Sequence, residues 1–339
     1  MRGGGTIYGM HQVYFTHQYK NIISLENLLT SWRIFLKGKT KRADVQEFGL
    51  RLMPNLMSLQ QDLSSRSYQH GGYGHFKIND PKPRDIHKAS VRDRIVHHAV
   101  FRALYPFFNQ IFIYDSYSCR LGKGTHKALR RFTSFSTWVE DCGYRTCFVL
   151  KCDIRKFFAS IDQPILLSIL EKHISDSDIL RLLQNIIESF HSATLGVGLP
   201  LGNLTSQLLV NVYMNEFDQW VKHTQKVKYY IRYADDFVIL HHSKAYLEDL
   251  IVKIGTFLSE RLKLSLHPDK VFIKTLASGV DFLGWVHFPT HRVLRTTTKR
   301  RMFARCYDKP STATIASYLG LLKHGEGYKL QQQITKKQR

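Results

Sequence analysis

Acidic residues are scarce in this 339-residue chain. Only 27 Asp and Glu stand against 49 Lys and Arg, a formal net charge of +22. On a foldable chain that imbalance points to a polyanionic partner, nucleic acid first and an anionic membrane surface second. Cysteine is sparse as well. The five cysteines form no C-x-x-C pair, and no H-E-x-x-H occurs, so neither a zinc-finger framework nor a zincin site is expected. Cys142, Cys147 and Cys152 are evenly spaced rather than paired. With Cys119 and Cys306 they read as buried free thiols in a reducing compartment. No apolar run approaches the 18 residues of a membrane span, and no apolar stretch follows the first residues as in a secretory signal. Repeats and long low-complexity tracts are absent too. Apolar residues at 43% and aromatics at 12% exclude disorder and collagen-like sequence. The length supports a sizeable core without staples.

Residues 1–20 contain Gly3-Gly4-Gly5 and read as a frayed arm. Phe48, Leu52, Leu56, Leu59 and Leu63 recur at helical spacing. Gly71, Gly72, Gly74, Pro81 and Pro83 mark a loop or hairpin, with a strand at residues 76–78. Residues 92–108 read as a helix with Pro106 near its end. Residues 147–153 form an apolar strand tipped by Asp153. Residues 166–190 and 205–220 read as helices, the latter burying Leu208, Val212 and Phe217. Residues 227–233 and 237–240 are β-rich, and Ala234-Asp235-Asp236 between them signals a hairpin. A helix over 246–262, a strand at 271–273, a hairpin arm over 282–288 and a basic helical tail from Thr296 complete the chain. Strand, helices, hairpin, helix, strand is the order of an α+β, ferredoxin-like split βαβ layout, with an antiparallel sheet and helices on one face.

The acids carry the chemistry. Adjacent aspartates are poor strand residues, and Asp235-Asp236 alone reads as a turn. Asp153 ends a strand that the expected topology places beside that hairpin, so three carboxylates converge. Uncompensated, they repel and raise one another's pKa. Divalent cations remove that repulsion. Oxygen ligands select Mg²⁺ or Mn²⁺, and Mg²⁺ takes one or two carboxylates plus substrate phosphates. Two such ions support in-line displacement at phosphorus.

Tyr233-Ala234-Asp235-Asp236 resembles the Y-x-D-D box of reverse transcriptases, and Asp153-Ile154-Arg155-Lys156-Phe157-Phe158 resembles their first carboxylate motif. Five more segments resemble the family's motifs in its order. They are Lys82-Pro83-Arg84 with Arg92-Asp93-Arg94-Ile95-Val96, Ser116-Tyr117-Ser118-Cys119-Arg120, Gly198-Leu199-Pro200-Leu201-Gly202-Asn203-Leu204-Thr205-Ser206-Gln207, His267-Pro268-Asp269-Lys270, and Phe282-Leu283-Gly284-Trp285. The resemblance implies a right-hand polymerase. Its parts are an N-terminal arm and fingers (1–145), a split βαβ palm (146–290, with a fingers insertion around 165–200) and a short helical thumb (291–339). It implies that Asp153 and Asp235 bind two Mg²⁺ ions, with Mn²⁺ as a substitute, that Asp236 lies close by, and that the Ile154 carbonyl helps. It assigns Lys77 and Arg84 to the triphosphate and Phe158 to the sugar as a steric gate. Leu201, Gly202, Ser206 and Gln207 fall in the nucleotide pocket, and Phe282, Leu283 and Gly284 in the primer grip. Lys270 is the implied acid for the pyrophosphate.

The pocket motif departs from the common pattern. Leu201-Gly202 stands where many family members have Gln-Gly, and Ser206-Gln207 where they have Ser-Pro. This form resembles the reverse transcriptases of diversity-generating retroelements, which copy a template RNA with errors at adenines to diversify a target gene. Ser317-Tyr318-Leu319-Gly320 resembles their compact thumb, and no maturase, DNA-binding or endonuclease extension is expected after it. The resemblance implies template RNA, primer or cDNA and dNTPs as partners, together with a basic accessory variability determinant, in a prokaryotic or phage-encoded cytoplasmic setting. Retron, abortive-infection and other group II-like reverse transcriptases share parts of the pattern. An RRM-type RNA-binding protein, the non-enzyme reading, would show aromatic strand motifs that are not evident here. A polymerase-derived protein without activity would not be expected to keep all three acids.

Overall fold

The structure is a computed structural model that describes residues 14–79, 83–141, 143–308 and 311–336. The glycine-rich start, Pro81, Lys82 and Cys142 lie outside the described residues. The chain opens with α1 (Tyr19–Ile22), α2 (Leu25–Leu36), α3 (Ala43–Leu50) and α4 (Leu52–Ser64). β1 (Tyr73–Ile78) and β2 (Arg84–Ala89) follow, then α5 (Val91–Ile111) and α6 (Thr125–Glu140). The middle holds β3 (Phe148–Asp153), α7 (Gln163–Glu171), α8 (Ser177–Glu188), α9 (Leu204–Gln219), β4 (Tyr230–Tyr233), β5 (Asp236–His241), α10 (Lys244–Leu262) and β6 (Phe272–Thr275). The chain closes with β7 (Val280–Phe282), β8 (Trp285–His287), β9 (Arg292–Leu294), α11 (Thr296–Asp308), α12 (Thr312–Leu322) and α13 (Tyr328–Lys336). The architecture is mixed α/β, in two compact units.

The first unit comprises the chain up to Phe112, Lys156–Asp218 and Arg261–Leu264. α8 shows why such a sequence folds locally. Asp176 caps it by accepting from the Asp178 and Ile179 amides, and Ile179, Leu182, Leu183, Ile186 and Ile187 are buried at helical spacing. α5 starts on Ser90, whose Oγ accepts from the Asp93 amide and donates to the Asp93 carboxylate. It runs through Pro106 to Ile111, further than the proline suggested. Leu104, Tyr105 and Phe108 are all buried around the proline, and that packing holds the turn despite the missing N–H. α9 buries twelve of its sixteen residues, so its inward face is much wider than Leu208, Val212 and Phe217 alone.

The second unit comprises Ile113–Arg155, Gln219–Glu260 and Ser265 onward. Its four-stranded sheet has the order β4-β5-β3-β6, antiparallel throughout. With α10 between the hairpin and β6, this is the strand order of a split βαβ sheet. β5 reads as an unbroken apolar run because Phe237, Val238, Ile239 and Leu240 are all buried. One core joins this sheet to α6 through Phe132 and Phe135, to β7–β9 through Phe282, Trp285 and Leu294, and to the last helices through Met302, Leu322 and Ile334. Gly325, in the turn before α13, sits where any Cβ would collide with the Trp285 ring and lie 2.9 Å from the Arg292 carbonyl oxygen. Cys147, Cys152 and Cys306 are buried, but Cys119 is exposed, contrary to the buried-thiol reading. It takes a left-handed φ of 54° in the loop before α6, and that conformation turns it outward.

Burial also sets a pH dependence in the first unit. His97 is held within hydrogen-bond distance of His70, Nε2 to Nε2 at 3.0 Å, and its Nδ1 is enclosed without a partner. Burial, reinforced by His70, His98 and Arg94, pushes its pKa down to about 3. Burial, with Lys39 and Arg94, pushes His98 down to about 4. Both rings are therefore neutral in the fold and take up protons more readily when unfolded. Their contribution is complete above the ordinary histidine value of about 6.5 and is lost as pH falls toward the folded values, at up to about 1.4 kcal/mol per pH unit for each ring. Urea midpoints at pH 7 and pH 5 should differ accordingly, and His97→Gln should narrow the gap. An unaltered gap would mean that the imidazole is hydrated.

Candidate active site

The acids gather in the second unit. Antiparallel pairing sets Asp153 directly opposite Asp236, at the ends of β3 and β5. Asp235 occupies the two-residue turn between β4 and β5, and its carbonyl accepts from the Ile154 amide at 3.1 Å. Cations stand among these carboxylates. Lys270 Nζ lies 2.9 Å from Asp153 Oδ1, and Lys151 Nζ lies 3.4 Å from Asp236 Oδ2. Asp236 keeps 21% of its side chain exposed, but on one side only, since its Oδ1 is enclosed and without a hydrogen-bond partner. Burial pushes its pKa up to about 7. Lys151 opposes the rise, and Asp235 and Asp153 add to it.

Two tight turns of this unit carry left-handed residues. Ala234 adopts a left-handed φ of 57°, unusual for a residue with a side chain. Arg232, fully buried, holds that turn: its guanidinium donates to the Ala234 carbonyl at 3.1 Å and to Ser116 Oγ at 3.1 Å. Between β7 and β8, Leu283 (φ 50°) and Gly284 (φ 86°) are both left-handed, the requirement of a two-residue hairpin turn. Phe282 itself is buried and stacks on Phe132 at 5.5 Å, so only the turn after it is available to a ligand.

The remaining sequence-derived residues lie in the first unit. Lys77 in β1 and Arg84 in β2 are both exposed on the hairpin, where Lys77 pairs with Asp85 and Arg84 with Ile78. Phe158 is half-buried in a single 3₁₀ turn, Phe157–Ser160, and its carbonyl accepts from the Leu199 amide at 2.8 Å. The loop that carries Leu201 and Gly202 is docked on β2. The His87 amide donates to the Leu201 carbonyl, and Asn203 Nδ2 donates to the His87 carbonyl, both at 2.9 Å. Ser206 is buried in the first turn of α9, and Gln207 follows it half-buried.

Among the described residues, no three His, Cys, Asp or Glu side chains gather as a ready-made metal cage. A small oxygen-seeking cation bound partly through substrate phosphates needs no such cage. Asp153 facing Asp236, the Asp235 carboxylate in the adjoining turn and the enclosed, unpartnered Asp236 Oδ1 suit Mg²⁺ in donor type and charge.

Residues 77–287 match the family described as "Reverse transcriptase (RNA-dependent DNA polymerase)". The chain belongs to the reverse transcriptase family. Protein YkfC of Escherichia coli (strain K12) is 28% identical over 289 residues, covering 74% of each chain. The group II intron-encoded protein LtrA of Lactococcus lactis subsp. cremoris is 23% identical over 294 residues, covering 66% of this chain but 47% of LtrA. A telomerase structure from Candida albicans aligns with a TM-score of 0.49 at 11% identity, over 68% of this chain and 48% of that one.

This reverse transcriptase domain holds two residues that sequence reasoning passed over, Arg232 and Lys151. Their signal was a basic residue inside an otherwise apolar β run, in Tyr229-Tyr230-Ile231-Arg232 and Val149-Leu150-Lys151-Cys152. Gly202 offers a direct test of the docked loop. Its φ is 107°, and an added Cβ would lie 2.8 Å from Ile86 Cγ2. Gly202→Ala should destabilise the fold by about 1–3 kcal/mol in urea unfolding, through overpacking and backbone strain together. Ile86→Ala in the same chain should recover the packing share only. A neutral Gly202→Ala would mean that the loop is not held against β2.

Proposed function

We propose that the chain is the reverse transcriptase of a diversity-generating retroelement, which copies template RNA into cDNA with errors concentrated at adenines. The observation that carries polymerisation is Asp153 opposite Asp236, with Asp235 in the adjoining turn, on a split βαβ sheet within the matched domain. In this reading residues 1–145, 146–290 and 291–339 act as fingers, palm and thumb. Asp153, Asp235 and the Ile154 carbonyl would hold Mg²⁺, with Asp236 beside them, and the ions would supply the positive charge for attack of the primer hydroxyl on a nucleotide phosphate. Lys77 and Arg84, exposed on their hairpin, grip the triphosphate as point and forked cations. Phe158 packs on the sugar and excludes a 2′-hydroxyl. Lys270, freed from its contact with Asp153, delivers a proton from Nζ to the leaving pyrophosphate. The Leu283–Gly284 turn supports the primer. Template RNA, primer and dNTPs are the substrates, and a basic accessory protein is the proposed partner, brought to the chain through shared RNA. No helix among the described residues is long and apolar enough to cross a membrane.

Two measurements test this reading. Asp235→Asn is nearly isosteric, so it should leave the unfolding midpoint within experimental scatter while abolishing dNTP incorporation on an RNA template with Mg²⁺. Full activity would remove the assignment of the aspartates.

The second concerns fidelity and rests on Leu201. An apolar side chain at this point packs but cannot hydrogen-bond the incoming nucleotide, and one such lost contact corresponds to about 0.5–1.5 kcal/mol. The adenine bias comes from the resemblance of the pocket motif. Leu201→Gln should lower misincorporation opposite template adenine severalfold, read by sequencing cDNA made on one RNA with all four bases in balanced contexts. Equal error spectra would make Leu201 a packing residue only.

A further inference from the structure

Lysine is an uncommon choice for the middle of a buried strand, yet Lys151 stands in β3 among Val149, Leu150 and Cys152, all fully buried. Strand alternation puts it on the same face as Asp153. β3 pairs with β5 so that Lys151 is opposite Val238 and Asp153 opposite Asp236, and the lysine reaches diagonally to Asp236. Only 14% of its side chain is exposed. Its ammonium has two clients in different sheets. One is Asp236 Oδ2, at 3.4 Å. The other is the main-chain carbonyl of Asp281, which accepts from Lys151 Nζ at 3.0 Å.

The second client is informative. Asp281 is the middle residue of β7, an outer strand of the β7-β8-β9 sheet. Its carbonyl is taken by Lys151 rather than by a further strand. The Asp281 carboxylate is held separately by Arg295, at 3.0 Å. The next residue is Phe282, and the left-handed turn Leu283–Gly284 follows at once. A single, largely enclosed lysine therefore spans the aspartate cluster and the strand that leads into that turn.

The geometry points to Lys151 as a positioning residue that ties the Asp236 carboxylate to the edge of β7, and so sets where the Leu283–Gly284 turn stands relative to the aspartates. This rests on the polymerase reading, in which the turn supports the primer. Lys151 touches no substrate and acts through its two clients. A primer terminus misplaced by about an ångström reacts on the order of a hundredfold more slowly, while nucleotide binding is spared. A lysine that merely satisfied its own burial would affect stability alone.

The test compares the wild-type chain with Lys151→Met, which keeps the length and the packing but neither contact, and Lys151→Arg, which keeps charge and donors. Amide hydrogen exchange is measured on the chain without metal, RNA or nucleotide. Single-turnover extension is measured on a preformed primer–template. In Lys151→Met, exchange over residues 280–287 should quicken by about tenfold, as expected for loss of one charge-assisted hydrogen bond, with α8 unchanged. Extension of bound primer should slow by roughly 10- to 100-fold, with the apparent KM for dNTP within about threefold of wild type. Lys151→Arg should recover most of both. Unchanged exchange at 280–287, uniform acceleration in every segment, or an extension rate equal to wild type would each overturn the proposal. If the wild-type chain extends no primer, the polymerase reading fails, and the exchange arm alone decides whether the tie exists. Lys151→Gln replaces Lys151→Met if the latter does not fold.

Discussion

Two carboxylates brought face to face across adjacent strands repel each other, and two lysines of the second unit answer that repulsion. Pairing of β3 with β5 fixes the backbones of Asp153 and Asp236 opposite each other. In a partly dry setting such a pair is stable only if protonated or matched by positive charge. The fold supplies both answers when nothing is bound. Lys270 sits on Asp153, Lys151 sits by Asp236, and burial raises the Asp236 pKa toward neutrality. In the polymerase reading, cations added to this cluster would displace Lys270 from Asp153 and leave Lys151 on Asp236.

Two strained positions of the second unit bear on this arrangement. Ala234 and Leu283 are left-handed residues with side chains, one in the turn that carries Asp235 and the other in the turn expected to meet the primer. Such conformations persist only where their surroundings over-determine them. For Ala234 the determinant is the buried Arg232, which donates to the turn carbonyl. For Leu283 it is the hairpin pairing of Phe282 with Trp285, together with the hydrogen bond from the Arg295 amide to the Gly284 carbonyl. Both turns are thus positioned by groups packed within the second unit.

The basic excess of the chain has a different distribution. Lys151 and Arg232 are spent internally, but Lys77 and Arg84 stand exposed on the β1–β2 hairpin. α11 carries Lys299, Arg300, Arg301 and Arg305 in a single helix. Surface cations gain affinity for a polyanion by releasing its counterions, an attraction that weakens with ionic strength and is largely blind to sequence. The loop of Leu201 and Gly202 is instead docked on β2 by two hydrogen bonds to the His87 backbone.

The apolar runs of β3 and β5, the Asp-bearing turn between β4 and β5, the strand and helix order of the sheet and the family motifs were all legible in the amino-acid sequence. Each depends on near neighbours, or on a strand buried on both faces, and so leaves a local pattern. The passage of α5 through Pro106 was not legible, because buried residues around the proline outweigh its local cost. Nor was the exposure of Cys119, which a left-handed backbone decides. Lys151 and Arg232 could be seen as oddities in apolar strands, but their purpose could not. Their partners lie 130 residues away at Asp281 and 116 residues away at Ser116, and the Asp281 partner is a main-chain carbonyl that any residue would offer. The sequence by itself determined which acids could meet and on what sheet. Only the tertiary structure decided which cations hold them in place, because a hydrogen bond to a distant backbone oxygen leaves no mark on residue identity.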